Sequence, residues 1–303
     1  MKSLRVETRV NAQPMTLACV SGLQLDVVVT SARVAAVKHT ARIELRPGGC
    51  GAHVARVADA EGVRCYVIGA QANHLAAWTA QELLQLGAVP LIVPKAGSGA
   101  AVSVALPTGA PGLQQLFVQR LALRPADLTP AALAVLAGAE VVIMGPMAPV
   151  DNGLIALHRL VASTAKYAAL LPHPDLIASA RFAEVASWFD YVQFNHEEAC
   201  VLDRGVADLL RLALRLRWLL RGQTECCLTA GRRRGWLWAA TGNGWHWVPL
   251  VPTATLAVND LGPGYAFAAK YLIERRLRHA PADQAVVAAC ECARRWVAGL
   301  PLA

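Results

Sequence analysis

Charge is scarce in this chain, and acidic charge scarcest: 17% of its 303 residues are charged, with 21 Asp and Glu against 29 Lys and Arg. Together with a hydrophobic content of 55%, that scarcity excludes intrinsic disorder and points to a chain that buries a core. Long apolar runs are missing as well. None reaches the ~18–20 residues that a membrane helix needs, so no membrane partner is expected. The opening Met1-Lys2-Ser3-Leu4-Arg5-Val6-Glu7 lacks the apolar stretch of a secretory leader. The eight cysteines (19, 50, 65, 200, 226, 227, 290 and 292) include no Cys-x-x-Cys pair. Scattered in apolar surroundings, they read as buried reduced thiols of a cytoplasmic protein. Catalytic signatures of other classes are also absent. There is no Gly-x-x-x-x-Gly-Lys-Ser/Thr, no Gly-x-Ser-x-Gly and no His-Glu-x-x-His, and Gly97-Ser98-Gly99 lacks the third glycine of a dinucleotide fingerprint.

The net charge of +8 comes almost entirely from arginine. It gathers in residues 204–221 and in Arg232-Arg233-Arg234. The ordinary reading is a solvated helix face and a charged turn; attraction of an anionic ligand is the sharper one. With no zinc finger or recognition helix beside it, nucleic-acid binding is not favoured. Short β-like runs alternate with helical stretches along the chain: 65–68, 75–86, 89–93, 130–137, 141–144, 154–165 and 168–171. That rhythm predicts a parallel sheet covered by helices. Residues 27–46 and 98–120 instead alternate loosely and are rich in Val, predicting strands of a separate small sheet.

Two glycine-rich stretches carry the chemistry. The first is Arg46-Pro47-Gly48-Gly49-Cys50-Gly51-Ala52-His53-Val54-Ala55-Arg56, where paired glycines let the backbone approach a ligand before a helix that ends at Glu61-Gly62. The second is Asn259-Asp260-Leu261-Gly262-Pro263-Gly264-Tyr265-Ala266-Phe267, a turn leading into a helix over about 264–278. Such a turn aims backbone amides and a helix dipole at one point and so suits phosphate. A third candidate is Asn195-His196-Glu197-Glu198 after the strand-like residues 190–194, which is also the pattern of a capping box. A fourth is the strand-like Glu225-Cys226-Cys227-Leu228-Thr229-Ala230-Gly231 with Gly235. Tryptophans at 236, 238, 245 and 247 flank a Thr241-Gly242-Asn243-Gly244 turn and read as cross-strand packing pairs.

In this order the stretches resemble the signatures of the ribokinase/PfkB family of carbohydrate and nucleoside kinases. There the first signature runs Pro-Gly-Gly-x-x-x-Asn-x-Ala and the second Asp-Thr-x-Gly-Ala-Gly-Asp-x-Phe. The resemblance implies a single domain over residues 1–303: a ribokinase-like three-layer α/β/α sandwich with a mostly parallel central sheet and a small β lid. It implies a lid that closes over substrate and a homodimer formed through it. It also implies ATP and Mg2+ as cofactors and a sugar or nucleoside as the small-molecule partner. Carried over by position, Asp26, Gly48, Gly49 and His53 would bind substrate, and Asn195, Thr229, Gly231 and Gly235 the nucleotide. Glu198 would help hold Mg2+, largely through water, and Gly262 and Gly264 would frame the anion hole.

The match fails where the reaction occurs. The family's catalytic Asp is Tyr265 here, which is protonated at a reference pKa of ~10 and a poor base. Pro263 has no N–H to offer an anion hole. His53 replaces an Asn, Asn259 stands where the family often has Asp, and Asp260 where it often has Thr. Asp260 or Asp26 could serve as a substitute base. Two functions are therefore expected of the scaffold. One is an ATP-dependent kinase of a sugar or nucleoside hydroxyl with an atypical centre. The other is an inactive relative that binds a nucleotide or small ligand, or acts as an interaction module.

Overall fold

The computed structural model describes residues 15–30, 42–97, 99–107, 113–118, 121–202, 208–220, 224–229, 235–238, 245–248 and 261–302. Its layering is visible in one strand. In β1 (Thr16–Gly22), Leu17 and Cys19 enter one hydrophobic core and Ala18 and Val20 another, all with no exposed surface. A strand buried on both faces must be central, with helices above and below it.

The strands that follow are β2 (Gln24–Thr30), β3 (Arg42–Gly48), β4 (Arg64–Ala72), β5 (Ala88–Lys95), β6 (Val102–Pro107) and β7 (Leu113–Val118). Then come β8 (Val141–Met144), β9 (Ala168–Leu170), β10 (Tyr191–Asn195), β11 (Glu225–Thr229), β12 (Gly235–Trp238) and β13 (Trp245–Val248). Nine of these form one sheet in the order β13-β12-β11-β10-β9-β8-β1-β4-β5. Its seven strands from β11 to β5 are parallel, and β12 and β13 extend it as an antiparallel hairpin. In that hairpin Trp236 stands opposite Trp247 and Trp238 opposite Trp245, as expected of the pattern, while the turn at 241–244 lies outside the described residues.

Helices α1 (Gly49–Ala60), α2 (Asn73–Gln85), α9 (Pro263–Leu272) and α10 (Ala282–Val297) pack on one face. On the other lie α3 (Pro130–Gly138), α4 (Asn152–Thr164), α5 (Pro174–Ala178), α6 (Phe182–Ala186), α7 (His196–Leu202) and α8 (Leu209–Leu219). The expected sandwich is therefore present. Among the described residues no helix is long and apolar enough to cross a membrane.

The expected lid is a four-stranded sheet, β3-β2-β6-β7. Connections 31–41, 108–112 and 119–120 lie outside the described residues. Asp26 and Val28 on β2 are buried toward the body, whereas Ile43 and Leu45 on β3 are 63% and 56% exposed. The arginine-rich stretch behaves as a solvated face where it is described. On α8, Arg211, Arg215 and Arg217 are exposed while Leu212 and Leu216 are buried; Arg204, Arg221 and Arg232-Arg233-Arg234 fall outside the described residues.

Two differences from expectation have physical reasons. Helix α9 starts at Pro263 rather than at 264, because proline's fixed φ suits the first helical position. Helices α5 and α6 were not anticipated, since five residues are too few for a 3.6-residue period to show. Beyond α9 the chain continues as a π-helical turn, Ile273–Leu277. There Lys270 and Arg278 pair with both Glu61 and Glu274 at 2.6–2.7 Å, tying the end of α1 to the end of α9.

Candidate active site

Strand order reverses at β1: the chain goes from β1 to β4 and β5 on one side, then crosses to β8 on the other. In open α/β sheets such a reversal leaves a crevice at the carboxyl ends of the strands, where ligands bind. Here the crevice receives the N-termini of α1 and α9. The first is fixed by the Gly51 N–H, which donates to Ser21 Oγ at the end of β1 at 3.0 Å.

Asp26 and Gly48 meet in this crevice. A Cβ on Gly48 would lie 2.0–2.2 Å from the Asp26 carboxylate, so that carboxylate rests directly on the backbone and only glycine fits beneath it. Asp26 is 1% exposed. Burial raises its pKa from 3.8 to about 6, against the opposing pull of Arg46, a hydrogen bond with Ser103, and Arg56. Gly49, at φ +79°, turns the chain into α1, which carries His53 one turn further on. His53 is buried, and burial, then Arg56 and Arg46, lowers its pKa to about 3, which keeps the ring neutral. Asp26 Oδ1 and His53 Nδ1 are both buried without a hydrogen-bond partner among the described residues.

The His53 ring forms the floor of the second glycine turn. It stacks on Tyr265, with centroids 5.7 Å apart and planes at 15°, and meets the edge of Trp296 at 5.2 Å. Trp296 in turn donates from Nε1 to the Leu261 carbonyl at 2.7 Å. Gly262 has φ +82°, and a Cβ there would come within 2.6–2.7 Å of the His53 ring. Two independent constraints thus demand glycine at 262.

Two amides of this turn are committed, and one position has none. Pro263 supplies none, and the Gly262 carbonyl accepts from both Tyr265 and Ala266 N–H at 3.0 Å. The Gly264 carbonyl accepts from Gln193 Nε2 at 2.8 Å, and Gln193 Oε1 accepts from the Tyr191 hydroxyl at 3.0 Å. Asp260 lies outside the described residues.

Beyond the turn is a small cleft of about 50 Å3, lined by Pro146, Leu171, Pro172, Gln193, Asn195, Glu198, Gly264 and Tyr265. Asn195, Thr229 and Gly235 are aligned across β10, β11 and β12 at its side. Thr229 Oγ1 donates to the Phe194 carbonyl at 3.3 Å. Asn195 and Glu198 form a reciprocal capping box: the Asn195 N–H donates to Glu198 Oε2 at 2.8 Å, and the Glu198 N–H to Asn195 Oδ1 at 2.7 Å. The structural role of that motif is therefore present, and both residues still face the cleft. Gly231 lies outside the described residues, and among those described no group of three or more His, Cys, Asp or Glu could hold a metal ion by itself.

No family model and no curated protein matches this sequence. Solved structures do. Phosphofructokinase-2 from Escherichia coli, in complex with substrates and products, superposes with a TM-score of 0.74 at 12% identity, covering 94% of this chain and 93% of that one. A ribokinase from Arabidopsis thaliana complexed with ribose and ATP gives 0.74 at 14% identity over 94% and 93%. A putative ribokinase from Agrobacterium tumefaciens gives 0.73 at 17% identity over 92% and 90%. The fold is ribokinase-like.

In this ribokinase-like frame the structure brings Asp26, Gly48, Gly49, His53, Gly262, Gly264 and Tyr265 to one crevice, with Asn195 and Glu198 across a shared cleft. Thr229 and Gly235 stand beside Asn195 on neighbouring strands. Sequence reasoning missed Gln193, which holds the Gly264 carbonyl, and Trp296, which holds both His53 and the Leu261 carbonyl. A glutamine inside an otherwise apolar strand was a signal that could have found the first. Nothing in the alanine-rich sequence of α10 singled out the second.

Proposed function

We propose that this chain is a PfkB-type carbohydrate or nucleoside kinase relative that binds a polyhydroxylated small molecule and a nucleotide but has lost efficient phosphoryl transfer. One observation carries the reading: Tyr265, at the position of the resembled family's catalytic Asp, lies stacked on His53 between the Asp26 crevice and the Asn195–Glu198 cleft. A base must reach the acceptor hydroxyl as it attacks. A phenol is a poor base at its reference pKa of ~10, and a ring packed on imidazole does not leave an aspartate's space.

The binding groups support retention of ligand. Asp26 offers an unmatched carboxylate oxygen and His53 an unmatched ring nitrogen, both suited to sugar hydroxyls. Asn195, Thr229 and Gly235 would border a nucleotide, and the Glu198 carboxylate in the cleft would help hold Mg2+ through water. Mg·ATP would supply the phosphoryl group and its charge neutralisation; orientation of the acceptor falls to Asp26, Gly48 and His53.

A second reading, an active ATP-dependent kinase, is favoured by Asp26 itself, whose pKa near 6 suits a general base at neutral pH. The test is calorimetric titration with Mg·ATP and with a panel of sugars and nucleosides, run beside an ADP-release assay. Binding without acceptor-dependent ADP release supports the proposal. Turnover refutes it in favour of the kinase, and absence of any binding refutes both.

The outer face of the lid supports a homodimer. Val27 pairs with Leu45 and with Val104, and Val29 with Ile43, forming an apolar sheet face whose natural cover is a second copy; sedimentation velocity should show twice the monomer mass. All eight cysteines are free thiols, six of them buried, which supports a reducing, cytoplasmic setting.

A further inference from the structure

Four charged or titratable side chains, Asp26, His53 and two others, act on one another where β2, β3 and α1 meet, and the proposed contacts to ligand hydroxyls employ only Asp26 and His53. The other two are arginines. Arg46 stands directly opposite Asp26 in the β2–β3 register, so both leave the lid on the same, body-facing side. Arg56 follows His53 by three residues on α1 and shares its helical face. Its Nη2 donates to the Pro47 carbonyl at 3.4 Å, and its guanidinium sits 5.9 Å from the centroid of Trp296, the ring whose edge meets His53. The two cations are close enough to act on each other and on both Asp26 and His53.

Holding two guanidiniums together in a half-buried place is costly unless negative charge accompanies them. Asp26 is the buried anion among them; Glu44, which also acts on Arg56, is on an exposed stretch of β3. Within the field of the same two arginines, two buried polar atoms, Asp26 Oδ1 and His53 Nδ1, lack hydrogen-bond partners among the described residues. A neutral polyol would match those two atoms and add no charge to the arginines. An anionic polyol would match both.

We infer that the small-molecule pocket takes a polyhydroxylated ligand that bears an anionic group, a phosphate ester or a carboxylate, with Arg46 and Arg56 as the residues that select it. The inference rests on the small-molecule-binding reading proposed above. Guanidinium suits the task because its planar fork of donors matches two oxygens of either anion at once.

The experiment is calorimetric titration of the full chain with matched pairs: ribose and ribose 5-phosphate, fructose and fructose 6-phosphate, glucose and gluconate. Arg56→Gln, Arg46→Gln and Arg56→Lys are titrated alongside, with thermal unfolding to confirm that each variant is folded. At least one anionic member should bind about tenfold or more tightly than its neutral counterpart, and added salt should erode the difference. The glutamine variants should lose about tenfold toward the anion and much less toward the neutral sugar, with Arg56→Lys recovering part of the loss. The phosphate and carboxylate arms decide which anion is selected. Equal binding of neutral and anionic members, or equal weakening of both by Arg56→Gln, overturns the inference and leaves the small-molecule reading standing. If no pair member binds at all, both fall together.

Discussion

Replacing His53 with asparagine should cost stability at neutral pH and return it in acid. In the folded chain this imidazole takes a proton only near pH 3, because it is buried and faces Arg56 and Arg46. In the unfolded chain it titrates at its ordinary value of about 6.5. Above pH 6.5 both states are neutral at this residue and nothing is lost. Between pH 6.5 and 3 the unfolded state binds a proton that the folded state refuses, so acidification favours unfolding. The loss runs at about 1.4 kcal/mol per pH unit and reaches roughly 4–5 kcal/mol at its limit.

Asparagine abolishes that slope but also removes the stack on Tyr265 and the edge contact with Trp296. Those contacts are worth about 0.5–1.5 kcal/mol each, so the variant should be about 1–3 kcal/mol less stable at pH 7.5. The two stability curves should therefore cross at roughly pH 4.5–6. His158, whose pKa burial lowers to about 4, remains in both proteins and sets a shared residual slope. Asp26, raised to about 6, contributes oppositely in both: it destabilises the fold above its titration and relieves it as pH falls toward 3.8. Urea unfolding followed by tryptophan fluorescence at pH 7.5, 6, 5 and 4 measures the difference. Parallel curves across that range would show that His53 is not held neutral in the crevice, and the site geometry built on it would fail.

Three further outcomes are expected. Tyr265→Asp supplies a base worth about 10²–10⁴ in rate, yet without a donor at 263 it should still fall about 10²–10³ short. ADP release should rise again in Tyr265→Asp combined with Pro263→Ala, and equal rates for the single and double variants would discount the proline. Gly262→Ala places a Cβ at φ +82° against the His53 ring and should cost about 2–4 kcal/mol by urea unfolding. Gly62→Ala, at φ +67° in open space, should cost only about 1–2 kcal/mol, and similar losses at the two sites would mean that the ring contact is absent. Gln193→Leu strips partners from the Gly264 carbonyl and the Tyr191 hydroxyl, a loss of about 1–3 kcal/mol that thermal unfolding should register.

The layered α/β architecture could be read from residue order because its signals are local. Strands such as Val141-Val142-Ile143-Met144 are buried on both faces and appear as unbroken apolar runs. Gly62 and Gly87, both at positive φ, mark where α1 and α2 end. The two glycine turns were legible for the same reason, since what they require of the backbone is written in the residues themselves.

The site was decided by contacts that sequence spacing does not encode. Asp26 reaches Gly48 only because β2 and β3 pair within the lid, and that pairing also sets Arg46 beside Asp26. Tyr265 meets His53 because α9 packs against α1, and Gln193 finds the Gly264 carbonyl 71 positions away only across the end of the sheet. From the sequence alone, Tyr265 only stands at the position of the resembled family's aspartate. Packing on a buried, neutral imidazole makes it the wall between the two halves of the site, because a ring's orientation is chosen by whatever it is pressed against.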